Sequence, residues 1–195
     1  MNKAATTRLT ILQQAFDLIY KKGYQASSID DILATTQVTK GAFFYHFKNK
    51  DQMGLAMVHE VMYPGMQQAL IAPLLTSPDP IHALYTMMKH VLLKSPFFQV
   101  KYGCPAVNLI EEMAPVNKAF HNSLLQLMLQ WQQAIVHCVR EGIINGKIRQ
   151  DVNAEGVAAF LMAGYSGIRN MGKLLGKTCY HSYLKELEGY LKTLS

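Results

Sequence analysis

The sequence predicts an all-α chain, an N-terminal three-helix helix-turn-helix unit followed by a C-terminal helical bundle, and three observations carry that reading. Apolar residues recur at i, i+3, i+4 and i+7 in successive windows, the spacing of one face of a helix. Strand-like alternation is nowhere sustained. Proline, glycine and short polar clusters cut the periodic windows into pieces of helical length. With 195 residues, half of them hydrophobic, the chain can bury a substantial core and falls between one and two domain lengths.

The first helix is expected over 6–22, where Leu12, Ala15, Phe16 and Ile19 form the apolar stripe. Gly23 ends it, as glycine tolerates the left-handed cap just past a helix, and Lys21 and Lys22 suit the negative end of its dipole. Ser28 can cap a second, short helix by accepting an unpaired backbone N–H, and Ile29, Ile32 and Leu33 share one face of it. Thr35-Thr36-Gln37 is a poor helix interior, and Val38 reads as an apolar plug. Thr39 can then cap a third helix containing Lys40, Gly41, Ala42, Phe43, Phe44, Tyr45 and His46.

A fourth helix is expected from Lys50 to about Met62, with Pro64-Gly65 interrupting or kinking it. Pro73 and Ser77-Pro78-Asp79-Pro80 read as breakers before a helix from about Pro80 to Lys94, and Ser95-Pro96 as another break. Gly103-Cys104-Pro105 opens a helix, since proline is pre-organised for the first helical position. It runs to about Met113, before Pro115. The strongest stripe follows, Phe120, Leu124, Leu127, Met128, Trp131, Ile135 and Cys138, ending at Asn145-Gly146. Val157, Leu161, Gly164, Ile168, Met171 and Leu175 mark a further long helix. Tyr180, Tyr183, Leu184, Leu187, Leu191 and Leu194 mark the last. The chain is expected to divide into 1–52, the helix-turn-helix unit, and 53–195, the helical bundle.

The second and third helices have the layout of a helix-turn-helix, whose second helix enters the major groove with its N-terminal residues at base edges. Lys40 offers a cation to guanine or phosphate and Thr39 a hydroxyl to either. Gly41 and Ala42 let the backbone approach closely. Tyr45 and His46 can donate to phosphate oxygens, and Lys50, opening the next helix, can reach the adjacent backbone. Charge agrees. The chain carries +6 overall, but residues 1–50 hold seven cations against three carboxylates, leaving only +2 for the other 145. Concentration of basic charge at the motif is an electrostatic footprint for DNA.

The stretch Val38-Thr-Lys-Gly-Ala-Phe-Phe-Tyr-His-Phe-Lys-Asn-Lys-Asp51 resembles the signature of TetR-family repressors, V-S-K-G-T-F-Y-Y-H-F-x-S/N-K-E. The likeness extends upstream through Gly23-Tyr24, Ser27-Ser28-Ile29 and Asp31-Ile32, covering about residues 6–60. Carried over by position, the resemblance implies a DNA-facing set of Ser28, Thr39, Lys40, Gly41, Phe44, Tyr45, His46 and Lys50. Phe44 departs from the family's usual tyrosine, which removes a phosphate contact but leaves a ring able to meet a thymine methyl. The resemblance further implies a homodimer joined through the last two helices, here Leu161, Gly164, Ile168, Leu184, Leu187 and Leu191. It also implies a palindromic operator on double-stranded DNA and a small-molecule inducer.

Met and aromatic residues of the bundle suit an adaptable apolar pocket, with Cys104, Met113, Met128, Trp131 and Tyr165 as candidate lining. Tyr102-Gly-Cys-Pro-Ala-Val-Asn-Leu-Ile-Glu-Glu112 resembles a stretch of TetR-family subgroups, some of which sense electrophiles through that cysteine. Three scattered cysteines, Cys104, Cys138 and Cys179, make no disulfide framework and fit a reducing cytoplasm. No signal-peptide core is expected at the N-terminus, and the apolar run from Val157 to Ile168 is too short to span a bilayer.

No cofactor or metal is expected, because Cys179-x-His181 and His137-Cys138 lack companions at ligand spacing. No catalytic constellation is read, so the chain is expected not to be an enzyme. Two other classes stay open on the residues: a dimeric helical carrier with vestigial DNA binding, and a thiol-dependent enzyme using Cys104.

Overall fold

The structure, a computed structural model, describes residues 3–95 and 97–195, all helix and connecting turns with no strand among them. Helix α1 (Lys3–Lys22) is followed by α2 (Ile29–Ala34), α3 (Lys40–His46) and α4 (Lys50–Met57). Gly23 takes φ +96°, the left-handed conformation expected of the residue that ends α1.

From Lys50 the helical path is unbroken to Thr76, which corrects two expectations. A π-turn at Val58–Met62 leads into α5 (Tyr63–Met66), and a second at Gln67–Ile71 leads into α6 (Ala72–Thr76). Pro64 and Pro73 each lie two residues beyond a π-turn and do not end the helix. Proline lacks an N–H and crowds the carbonyl four residues back, and a wide turn loosens the ladder at that point. The break comes at 77–79, where Ser77 is extended and the Asp79 carboxylate accepts from His82 N at 3.0 Å to cap α7 (Pro80–Lys89). A third π-turn, His90–Lys94, closes that helix. The break read at Ser95-Pro96 falls partly on Pro96, outside the described residues. Then come α8 (Pro105–Met113), α9 (Lys118–Ile144), α10 (Ala154–Leu175) and α11 (Thr178–Lys192).

Two compact units result. One comprises Met1–Gly65 with Pro105–Gln126, the other Met66–Cys104 with Leu127–Ser195. In the first, Ile11, Leu12, Ala15, Phe16 and Ile19 of α1 are buried together with Ile32, Phe43, Phe47, Met53 and Met57. Gly54 allows close packing here, since a Cβ would lie 2.7 Å from both the Phe120 and Tyr24 rings. In the second, α11 packs on α7 and α10. Its Tyr183 and Tyr180 rings rest on Gly164 and Gly172 of α10, where a side chain would collide with them.

Candidate nucleic-acid interface

Each short helix of the N-terminal motif is fixed by a side-chain cap. Ser28 Oγ accepts from Asp31 N at 3.0 Å, and the Asp31 carboxylate accepts from Ser28 N at 2.8 Å, a reciprocal capping box. Thr39 Oγ1 accepts from Ala42 N at 3.2 Å, and Asn49 Oδ1 accepts from Gln52 N at 2.8 Å at the start of α4. Such caps are each worth about 1 kcal/mol, which matters for helices too short to be stable alone.

The third helix is divided by face. Phe43 and Phe47 are buried and anchor it, whereas Phe44 and Tyr45 point outward, Tyr45 with 78% of its surface exposed. Thr39, Lys40 and Gly41 share that exposure, and a Cβ on Gly41 would meet nothing. His46 is half-buried, its carbonyl accepting from Arg8 at 3.4 Å. The Arg8 guanidinium also stands 4.5 Å over the Phe47 ring and pairs with Glu60. Lys40 pairs with Asp30 at 2.9 Å, both side chains largely exposed, so the pair is weak and easily exchanged for a phosphate.

Lys50 is placed differently from the outward residues. Its ammonium donates to the carbonyls of Tyr24 and Ser27 at 2.9 and 3.0 Å and lies over the Tyr24 ring. In the free chain it ties α4 to the turn before α2.

Helix α8 and the start of α9 belong to the same unit and grip that turn from below. Glu112 accepts from Gln25 N at 2.9 Å, and its carboxylate fills the space beside Gly23. Asn117 donates to Asp51 at 3.1 Å, and Asp51 accepts from Tyr24 Oη at 2.6 Å. Burial first, and then the Asp51 carboxylate, hold the Tyr24 phenol well above its ordinary range. Phe120 meets the Tyr24 ring edge-on at 5.0 Å.

The candidate pocket residues do not all fall in one unit. Met113 is buried in the first, its sulfur near Gln25 Nε2 at 3.2 Å. In the second, Trp131 and Tyr165 meet edge to face at 5.2 Å, Met128 is half-buried, and Cys104 is only 2% exposed. The residues expected at a dimer face are already packed in the single chain. Leu161, Ile168, Leu184, Leu187 and Leu191 are buried within the chain itself, and Gly164 receives the Tyr183 ring. They are this chain's own core. Helix α10 instead exposes Phe160, Met171, Leu174 and Leu175, Leu174 with 89% of its surface free.

Residues 11–57 match the model for bacterial regulatory proteins of the tetR family, and residues 80–185 match the tetracyclin repressor-like C-terminal domain. The chain belongs to the TetR family. Among curated TetR-family relatives, it is 26% identical over 161 residues to the transcriptional repressor DhaR of Mycobacterium sp. (strain GP1), covering 82% of this chain and 79% of that protein. It is 33% identical over 129 residues to an HTH-type transcriptional regulator of Lactococcus lactis, covering 66% of each. A TetR-family regulator from Cytophaga hutchinsonii shares the fold at TM-score 0.87 and 21% identity, over 100% of this chain and 98% of that one.

TetR-family proteins are transcriptional regulators, generally DNA-binding repressors, and not enzymes; this replaces the thiol-enzyme reading of Cys104. No helix among the described residues is long and apolar enough to cross a membrane.

Sequence reasoning missed Arg8, Glu112 and Asn117, whose partners lie far along the chain, and it also missed Asp31 as the acid of the capping box, which the Ser28-x-x-Asp31 spacing could have signalled. That box sets a pH dependence. The backbone N–H of Ser28, then Lys22, hold the Asp31 carboxyl well below the usual carboxylate range. Its folded pKa is thus below its unfolded value of about 3.9. The stabilisation is present above that value and is lost as pH falls through the folded pKa. The Asp31 carboxyl resonance is expected to titrate well below pH 4, and the stability advantage of wild type over Asp31→Asn to shrink on acidification. An ordinary titration midpoint would remove the carboxylate from the cap.

Proposed function

We propose that the chain is a cytoplasmic, homodimeric repressor released from a palindromic operator by a small-molecule inducer. One observation carries the DNA reading: α3 presents Thr39, Lys40, Gly41, Phe44 and Tyr45 outward while Phe43 and Phe47 anchor it. Each subunit places residues 39–46 in one half of the operator, with Ser28 and His46 at flanking phosphates. Lys50 contributes by fixing the turn before α2 and by meeting phosphate if its carbonyl contacts are exchanged. By role, 1–52 reads DNA and 53–195 binds inducer and partner. Inducer and DNA then oppose each other reciprocally. The test is retention of a palindromic fragment from the source genome, with affinity falling steeply as salt rises. A protein that retains no fragment over random DNA is a carrier instead.

For the dimer, α10 supports the reading through its outward residues Phe160, Gly167, Met171 and Leu174, spaced seven, four and three apart. That is the repeat of packed helix pairs, and Gly167 leaves open space for close approach. Met171→Glu with Leu174→Glu is expected to give a folded monomer that fails on palindromic DNA, because both side chains are exposed in the single chain. Light scattering checks the mass and circular dichroism the fold. A variant that stays dimeric moves the interface off these residues.

A further inference from the structure

Arg169, on α10, is fully buried, and among the described residues no carboxylate pairs with it. Its guanidinium donates to the carbonyls of Phe98 and Gln99, each at 3.4 Å, and of Gly103. The Phe98 and Tyr180 rings flank it at 5.5 and 5.6 Å. Among the described residues the Nε–H has no acceptor. Holding the 98–103 turn requires only N–H donors, which a neutral amide supplies. A guanidinium adds a full charge, and an interior cation is costly unless an anion is brought to it.

One helical turn earlier, Tyr165 meets Trp131, which is 1% exposed and whose Nε1–H also lacks an acceptor among the described residues. Buried donors without acceptors are rare in native interiors. Here one belongs to a guanidinium with no carboxylate partner among the described residues, and the other to the ring that packs against the preceding turn of the same helix.

We propose that Arg169 is the charge-pairing residue of an inducer site in the second unit, and that the inducer is a small monocarboxylate with an apolar or aromatic tail. The inference rests on the ligand-responsive reading above. The carboxylate accepts from the Arg169 Nε–H, a charge-assisted bond. The tail lies against the rings of Trp131 and Tyr165. One buried cation balances a monoanion, whereas a dianion such as phosphate leaves a charge uncompensated.

The experiment uses the full-length protein and matched probes, hexanoate and benzoate against hexanamide and benzamide. Trp131 is the only tryptophan, so its emission reports the site directly, with the melting temperature as a second readout. Both acids are expected to shift emission saturably, with the amides and inorganic phosphate about tenfold weaker or worse. Arg169→Gln should lose the preference for acid over amide, a change that loosening of the 98–103 turn alone does not produce. If that variant fails to fold, Arg169→Lys should fold and keep the preference.

Equal response to acid and amide overturns the site, as does Arg169→Gln binding acids like wild type. So does silence from both acids at about 10 mM, a level that detects a Kd near 1 mM. Acids that bind without releasing operator DNA leave the Arg169 site standing and sink the ligand-responsive reading. A neutral compound that releases DNA while no acid binds does the reverse.

Discussion

Exchanging Leu187 and Leu191 together for glutamate is expected to unfold the second unit rather than to separate a pair of intact subunits. Both leucines are buried in the single chain, with Leu184 and Tyr180 on the same helix. Each substitution removes a packed side chain and places an unpaired charge in apolar surroundings. The two together cost on the order of 5 kcal/mol or more, comparable with the whole stability of a typical domain. Circular dichroism and thermal melting check this: a cooperative transition should be lost or strongly lowered. A variant that melts like wild type but runs as a monomer would show instead that α11 is held together by its partner.

Lys40→Ala is expected to weaken operator binding by about 1–3 kcal/mol if the ammonium meets a base edge, with relaxed preference at that position. If it meets phosphate alone, all sequences should weaken alike and the salt slope should fall by roughly one. The structure adds a counterpart. Asp30 is the acid that holds Lys40 in the free protein, so Asp30→Asn should tighten binding to any DNA by freeing the cation and removing a like charge near the backbone. Fluorescence anisotropy across a salt series separates these cases. Unchanged affinity in folded Lys40→Ala would take the residue out of the interface.

The reading head was legible because its determinants are local. Ser28 and Thr39 cap helices that begin one residue later, and the spacing of Phe43 and Phe47 already divides buried from outward faces. What escaped depends on partners distant in sequence or on backbone geometry without a compositional mark. Pro73 read as a breaker, and Pro64 as an interruption or kink, because nothing in the neighbouring residues announces a π-turn. The stripes of α10 and α11 were visible as apolar. Which leucines faced inward was not, since that depends on Tyr183 and Tyr180 seating on Gly164 and Gly172. Arg169 carries no mark in its sequence neighbours. Its meaning came from three carbonyls about 70 residues earlier.

The grip of α8 and early α9 on the turn before α2 has a consequence for how such regulators recombine. The reading head is not a contiguous cassette. Residues 1–65 cut away from 105–126 lose Glu112 beneath Gln25, Asn117 beside Asp51 and Phe120 against Tyr24. A graft of this head onto a foreign effector body therefore has three chain junctions to match, near residues 65, 104 and 126. Chimeras joined at the first junction alone inherit the helix-turn-helix without the struts that set its pitch.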